Sequence, residues 1–160
     1  MSISFKSHSN IFTLTAKQKV NVSVEKAWEF FSSPDNLEKL TPSEMGFSVT
    51  SGKPKKAYPG QIITYKVSVV KGVRLNWVTE LTQVKENCFF IDEQRFGPYK
   101  MWHHEHFFEK VDESSCIVGD KVSYKLPLGL LGKLAHVLFV KRQLRGIFEF
   151  RNKQIIKIFS

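Results

Sequence analysis

Apolar and polar residues alternate with a period of two along much of the chain up to residue 126. After Pro127 the spacing lengthens to a helical one. Residues 12–24 alternate in part (Phe12, Leu14, Ala16, then Val20, Val22, Val24) and predict a first strand. The run VEKAWEFF follows, with Val24, Ala27, Trp28 and Phe31 at helical spacing and Ser23 placed to cap it. Ser33-Pro34 predicts a second short helix that carries Leu37 and Leu40 and stops at Thr41-Pro42. A short strand is expected at 47–50 and a polar loop at 52–60. Residues 61–70 and 73–84 read as two strands joined by a tight turn at Lys71-Gly72. Ile63, Tyr65, Val67 and Val69 share one face of the first, and Leu75, Trp77, Thr79 and Leu81 share one face of the second. Three more strands, at 88–96, 101–111 and 116–126, continue the meander through short turns.

Beyond Pro127, Leu131, Leu134, Ala135, Leu138, Leu144, Ile147, Phe148, Arg151 and Ile155 keep helical spacing, interrupted at worst by Gly146. Roughly thirty residues at about 1.5 Å each would cross a small domain. The predicted class is α+β. One domain, residues 1–160, holds a curved antiparallel sheet of about six or seven strands wrapped around a long C-terminal helix. Two short helices follow strand 1. An antiparallel sheet buries one face, and the long helix is its natural cover. Where sheet and helix do not touch, a pocket is left, which is a helix-grip architecture.

The polar residues on the inner faces are the unusual feature. Trp102, His104, His106 and Phe108 fall on one face of their strand. Cys116, Val118, Asp120, Val122 and Tyr124 fall together on the next, and Phe90, Asp92, Gln94 and Phe96 form a third row. Buried polar groups are costly unless paired, so aromatics mixed with His, Asp and Gln point to a lined cavity more than to a plain apolar core.

Bulk composition changes this picture little. At 42% hydrophobic and 24% charged residues the chain is an ordinary globular one. Cys88 and Cys116 have neither metal-type nor redox-type spacing. The first ten residues lack the apolar run of a signal peptide, and no segment approaches the ~18 apolar residues of a membrane span. A cytoplasmic protein without cofactor is the expectation, as a monomer or weak homodimer. The net charge of +9 is concentrated at the end, where seven Lys/Arg after residue 127 face a single acid, Glu149. A solvated helix face explains most of it, and Lys141, Arg142 and Arg145 leave room for contact with an anionic surface. No zinc finger, helix-turn-helix or RNP-type motif accompanies them, so specific nucleic-acid binding is not expected.

Three chemistries compete for the polar rows. His104 and His106 with Asp92 or Asp120 have the spacing to touch a zinc ion, but the four ligands of a structural site are not in view, and no metal is expected. His104 or His106 with Asp120 could form an acid–base pair, the carboxylate orienting the imidazole, or else a buried ion pair that fixes strand register. Tyr65, Trp77, Trp102 and Tyr124 offer flat walls with polar tips suited to an aromatic or sterol-like ligand, whereas Trp28 reads as core. Gly129 and Gly132 fit no phosphate-binding loop and read as shaping the entry to the long helix.

The matching segments AWEFFSSPDNLEKLTP, NWVTEL, FIDEQRFGPYKMWHHEHFF, GDKVSYKLPLGLLGKL and LRGIFEFR span nearly the full length. On them the chain resembles the START-like, helix-grip (SRPBCC) superfamily. It is similar in particular to bacterial SRPBCC ligand-binding and "cell division inhibitor"-like members. The resemblance implies a cavity for a small hydrophobic or amphipathic molecule, lipid or polyketide-like, without fixing a reaction. The expected ligand-binding set is Tyr65, Trp77, Asp92, Gln94, Trp102, His104, His106, Asp120 and Tyr124. Two alternatives stand beside this. One is a polyketide cyclase, aromatase or dehydratase using His104, His106 and Asp120. The other is an interaction protein working through its basic C-terminal helix.

Overall fold

In the computed structural model, which describes residues 2–52, 56–70 and 73–160, the alternating segments pair into one antiparallel sheet. Its strands are β1 (Ser2–His8), β2 (Ile11–Val20), β3 (Ser48–Val49), β4 (Gln61–Val70), β5 (Val73–Lys85), β6 (Phe89–Phe96), β7 (Met101–Asp112) and β8 (Ser115–Lys125). The order across the sheet is β1-β2-β8-β7-β6-β5-β4-β3. Consecutive strands are neighbours from β3 to β8, and β8 then pairs with β2. The C-terminal helix runs as α2 (Gly129–Ala135), one π-helical stretch (His136–Val140) and α3 (Lys141–Ile158). The α+β helix-grip prediction holds, with eight described strands rather than six or seven.

The added strand is β1. Its short alternation, Ile3 and Phe5 inward and Ser2, Ser4 outward, was too brief to stand out against the polar start. Ser9 and Asn10 both take positive φ, 49° and 66°. That is the geometry of a two-residue hairpin turn whose twist matches its strands.

Other corrections are local. The first predicted strand ends at Val20, not Val24. Ser23 does cap α1 (Val24–Phe31), accepting from the Lys26 N–H at 3.4 Å. The second predicted helix is two single 3₁₀ turns, Pro34–Asn36 and Glu38–Leu40, and the Ser33 side chain makes no capping bond. The expected turn at residues 71–72 and part of the expected loop at 52–60 lie outside the described residues. Gly146 does not interrupt the helix; the irregularity is the π stretch. An extra residue in one turn rotates the following face by about 100°. That rotation aims Leu144, Phe148, Arg151 and Ile155 at the sheet.

Two apolar clusters fill the space between sheet and helices. One gathers around α1, where Trp28 meets Phe90 and Phe108 edge-on at 5.9 and 5.4 Å. The other gathers around Trp77, Tyr99, Tyr124 and Phe148. Trp102 packs against the second cluster and Phe108 lies in the first. His104 and His106 stand between them on the same face of β7. No described helix is long and apolar enough to cross a membrane.

Candidate functional site

A cavity of about 180 Å³ lies between the sheet and α3. Strand alternation delivers Tyr65 from β4, Trp77 from β5, Asp92 from β6, and Trp102, His104 and His106 from β7 to its wall. The helix closes it with Leu144, Phe148 and Arg151. The aromatic walls touch in sequence: Tyr65 stacks on Trp77 at 5.9 Å, and Trp77 meets Trp102 edge-on at 5.3 Å. Their polar tips converge on Thr79. Its hydroxyl oxygen accepts from the Trp77 indole at 3.1 Å and shares a 2.9 Å hydrogen bond with the Tyr65 hydroxyl. Burial and the nearby Asp92 charge push the Tyr65 phenol strongly up, so it stays protonated.

The polar wall is a two-histidine, two-aspartate network. The rings of His104 and His106 lie 3.7 Å apart. His104 Nε2 donates to Asp120 Oδ1 at 3.0 Å, and His106 Nε2 donates to Asp92 Oδ2 at 2.8 Å. The second nitrogens approach the other carboxylate at ion-pair distance without hydrogen-bond geometry: His104 Nδ1 is 3.4 Å from Asp92 Oδ2, and His106 Nδ1 is 3.1 Å from Asp120 Oδ1. Register places them so, since Asp92 sits opposite His104 and Asp120 opposite His106 in the ladders. All four side chains are buried.

Arg151, which the sequence places both on the helical spacing and among the C-terminal cations but not in the expected binding set, adds a fifth member. Its Nη2 lies 3.1 Å from Asp120 Oδ1, its guanidinium packs over Phe31 at 5.4 Å, and it is only 11% exposed. The signal was present: Leu144, Phe148, Arg151 and Ile155 fall on one helical face, and Arg151 is its only charged member. Arg151 Nε, although buried, has no hydrogen-bond partner among the described residues.

These contacts separate the two imidazoles. Burial lowers His104, the adjacent His106 charge lowers it further, and the carboxylates only partly offset this, leaving it below its usual value. His106 suffers the same burial, but its contact with Asp120 and its hydrogen bond to Asp92 outweigh it and raise it. Burial works against ionising Asp120, yet Arg151 and the two imidazoles hold it well below the carboxylate range. Burial likewise opposes ionisation of Asp92, and His104 and His106 hold it down. With His106 raised and His104 lowered, one imidazolium together with the Arg151 guanidinium would balance the two carboxylates. A neutral imidazole beside a charged one, facing a cavity, can take a proton and give one.

Asp92, His104 and His106 each offer a ligand atom within 4.8 Å of the others. The same atoms are already paired with one another, and the Arg151 charge beside Asp120 opposes a further cation.

Three residues of the expected binding set stand elsewhere. Gln94 does not reach the cavity: its amide donates to Tyr99 O at 2.7 Å and accepts from Tyr99 N at 3.1 Å, clamping the β6–β7 turn. A bulge beside it turns Phe96 outward, against the expected row. Asp120 lies behind the histidines and does not line the cavity. Tyr124 is fully buried beneath Tyr99, sharing a 2.8 Å hydrogen bond with His136 Nε2.

No protein-family model matches the sequence, and no curated protein matches it. Solved structures do. TTHA0849 from Thermus thermophilus is 18% identical with a TM-score of 0.63, over 89% of this chain and 93% of that one. A START superfamily protein from Mycobacterium smegmatis is 14% identical with a TM-score of 0.62, over 89% and 98%. Norcoclaurine synthase from Thalictrum flavum, in complex with dopamine and hydroxybenzaldehyde, is 14% identical with a TM-score of 0.63, over 99% and 91%. At identities this low, the structural likeness shows the shared fold alone. The chain has the START-like helix-grip fold.

Proposed function

We propose that the protein binds a compact aromatic molecule carrying at least one oxygen acceptor in the cavity between the sheet and α3. The observation that carries this is the mixed wall, in which Tyr65, Trp77, Trp102 and Phe148 stand beside Asp92, His104, His106 and Arg151, whose buried Nε has no hydrogen-bond partner among the described residues. An unsatisfied buried donor costs about 1–3 kcal/mol, which a ligand oxygen recovers. Size narrows the class. A dry cavity of about 150 Å³ admits benzene. The ~180 Å³ here therefore suits one or two rings, and a lipid chain or sterol would require the walls to part. Norcoclaurine synthase, of the same fold, is seen with two single-ring aromatics, which agrees with this scale.

Calorimetric titration with a panel of phenols, aromatic carboxylates and fatty acids tests the reading. Binding of a one- or two-ring acid or phenol, lost in Arg151→Met, is expected. Saturable binding of fatty acids alone would overturn it.

A second reading, acid–base catalysis in the manner of a cyclase or dehydratase, is favoured by one observation, the opposite displacement of His104 and His106. Here His104 would accept a proton and His106 supply one. Turnover of a bound ligand that disappears in His104→Gln while binding persists would establish it.

A further inference from the structure

The start of the C-terminal helix is built inside out. Six large apolar side chains, Leu130, Leu131, Leu134, Val137, Leu138 and Phe139, are 55–79% exposed. The positions turned toward the protein are instead Gly132, Ala135 and His136. Helical spacing had assigned Leu131, Leu134 and Leu138 to the covered face, and the structure reverses this. The inversion is held in place. A Cβ on Gly132 would collide with Pro127 O, so the helix approaches the chain there as only glycine allows. His136 anchors the same side, stacked on Phe12 at 3.5 Å and bonded to the Tyr124 hydroxyl. Turning the leucines inward would break all three contacts.

Exposed apolar side chains in such a cluster mark an interaction surface. Its charge identifies the partner. Between residues 122 and 148 stand five cations, Lys125, Lys133, Lys141, Arg142 and Arg145, and no acid. Lys133 lies within the apolar run, and Lys141, Arg142 and Arg145 follow it, all exposed. A second copy of the chain would bring the same cations, and another net charge of +9, against them. We propose that residues 128–145 dock this protein on an anionic phospholipid surface, the leucines, Val137 and Phe139 entering the acyl boundary and the cations meeting lipid phosphates. Short apolar helices rimmed by Lys and Arg bind bilayers by this sum of apolar burial and charge. None of the six apolar side chains lines the cavity, so this surface is independent of the ligand site.

Flotation with vesicles separates the outcomes. Wild-type protein is expected to float with vesicles of phosphatidylcholine and phosphatidylglycerol in equal parts, and to stay down with phosphatidylcholine alone. Lys133→Glu with Arg142→Glu should weaken partitioning, by at least about fivefold for each cation removed. Leu130→Ser with Phe139→Ser should abolish it. Both variants change exposed side chains and should keep the wild-type circular dichroism and melting temperature. Wild-type protein that ignores anionic vesicles overturns the proposal. So does flotation that both variants retain, which would place the contact in diffuse charge elsewhere. Self-association abolished by Leu130→Ser with Phe139→Ser, without vesicle binding, would also overturn it and assign the surface to a second copy.

Discussion

Arg151 of α3 reaches across the interior to Asp120 of β8, Nη2 to Oδ1 at 3.1 Å, both side chains about nine-tenths buried. This ion pair joins the helix to the sheet beside the two histidines and two carboxylates and adds a guanidinium to their network. Removing one partner of a buried pair is costly because the other charge stays behind. Arg151→Met should therefore lose about 3 kcal/mol of stability at about pH 8.

That loss should shrink with acid. Without Arg151, the two carboxylates have one cation fewer beside them, and the His104 pKa in the folded state should rise from its lowered position. Relative to the wild type, a folded-state histidine pKa raised by the substitution returns stability to the variant as pH falls, and that gain is lost as pH rises through it. Chemical denaturation of the variant at about pH 8 and about pH 5.5 should show the smaller deficit at the lower pH. A deficit independent of pH would mean that His104 does not take up the missing charge.

One proton should be shared between the two cavity histidines at neutral pH. Long-range ¹⁵N correlation spectra should show His106 as imidazolium and His104 neutral, with its proton on Nε2, the nitrogen that donates to Asp120. In His106→Asn, burial still holds His104 down, but the like charge beside it is gone and its titration should move up. Two neutral rings in the wild type would contradict the network as described.

Thr79 holds the polar tips of the aromatic wall. Thr79→Val strips the Tyr65 hydroxyl and the Trp77 indole of their shared partner. A loss of about 2 kcal/mol is expected, from leaving buried groups unpaired. Tyr65→Phe added to Thr79→Val should recover part of it, since one of the two orphaned groups is then absent. Equilibrium unfolding of the single and double variants tests this, and a further loss in the double would refute it.

Gly119 lies directly across the β7–β8 ladder from Phe107. The Phe107 ring covers it, so that a Cβ there would run into the ring, while Lys17 sits over the same ring at 4.8 Å. Gly119→Ala should cost about 2 kcal/mol by overpacking. Gly119→Ala with Phe107→Leu should melt above the single variant. Equal melting temperatures would show that the ring moves aside freely.

Strand faces were legible because a period of two needs no tertiary information. The rows through Ile63, Trp77, His104 and Asp120 follow from alternation alone, as does the placing of His104 and His106 between two aromatic residues. The capping of α1 by Ser23 was likewise local. What failed was non-local. Whether Gln94 faces a cavity or clamps a turn depends on a bulge against β5. Whether Tyr124 lines a wall or lies beneath one depends on Tyr99 and His136. Arg151 shared its helical face with Leu144 and Phe148 in the sequence, but only Asp120, thirty-one positions earlier, gives a buried guanidinium its counter-charge. The inverted start of the long helix was hidden for the same reason. Spacing shows that one face is apolar, and packing decides which face is covered: here a glycine at Pro127 and a histidine on Phe12 seat the small side and leave the leucines outside.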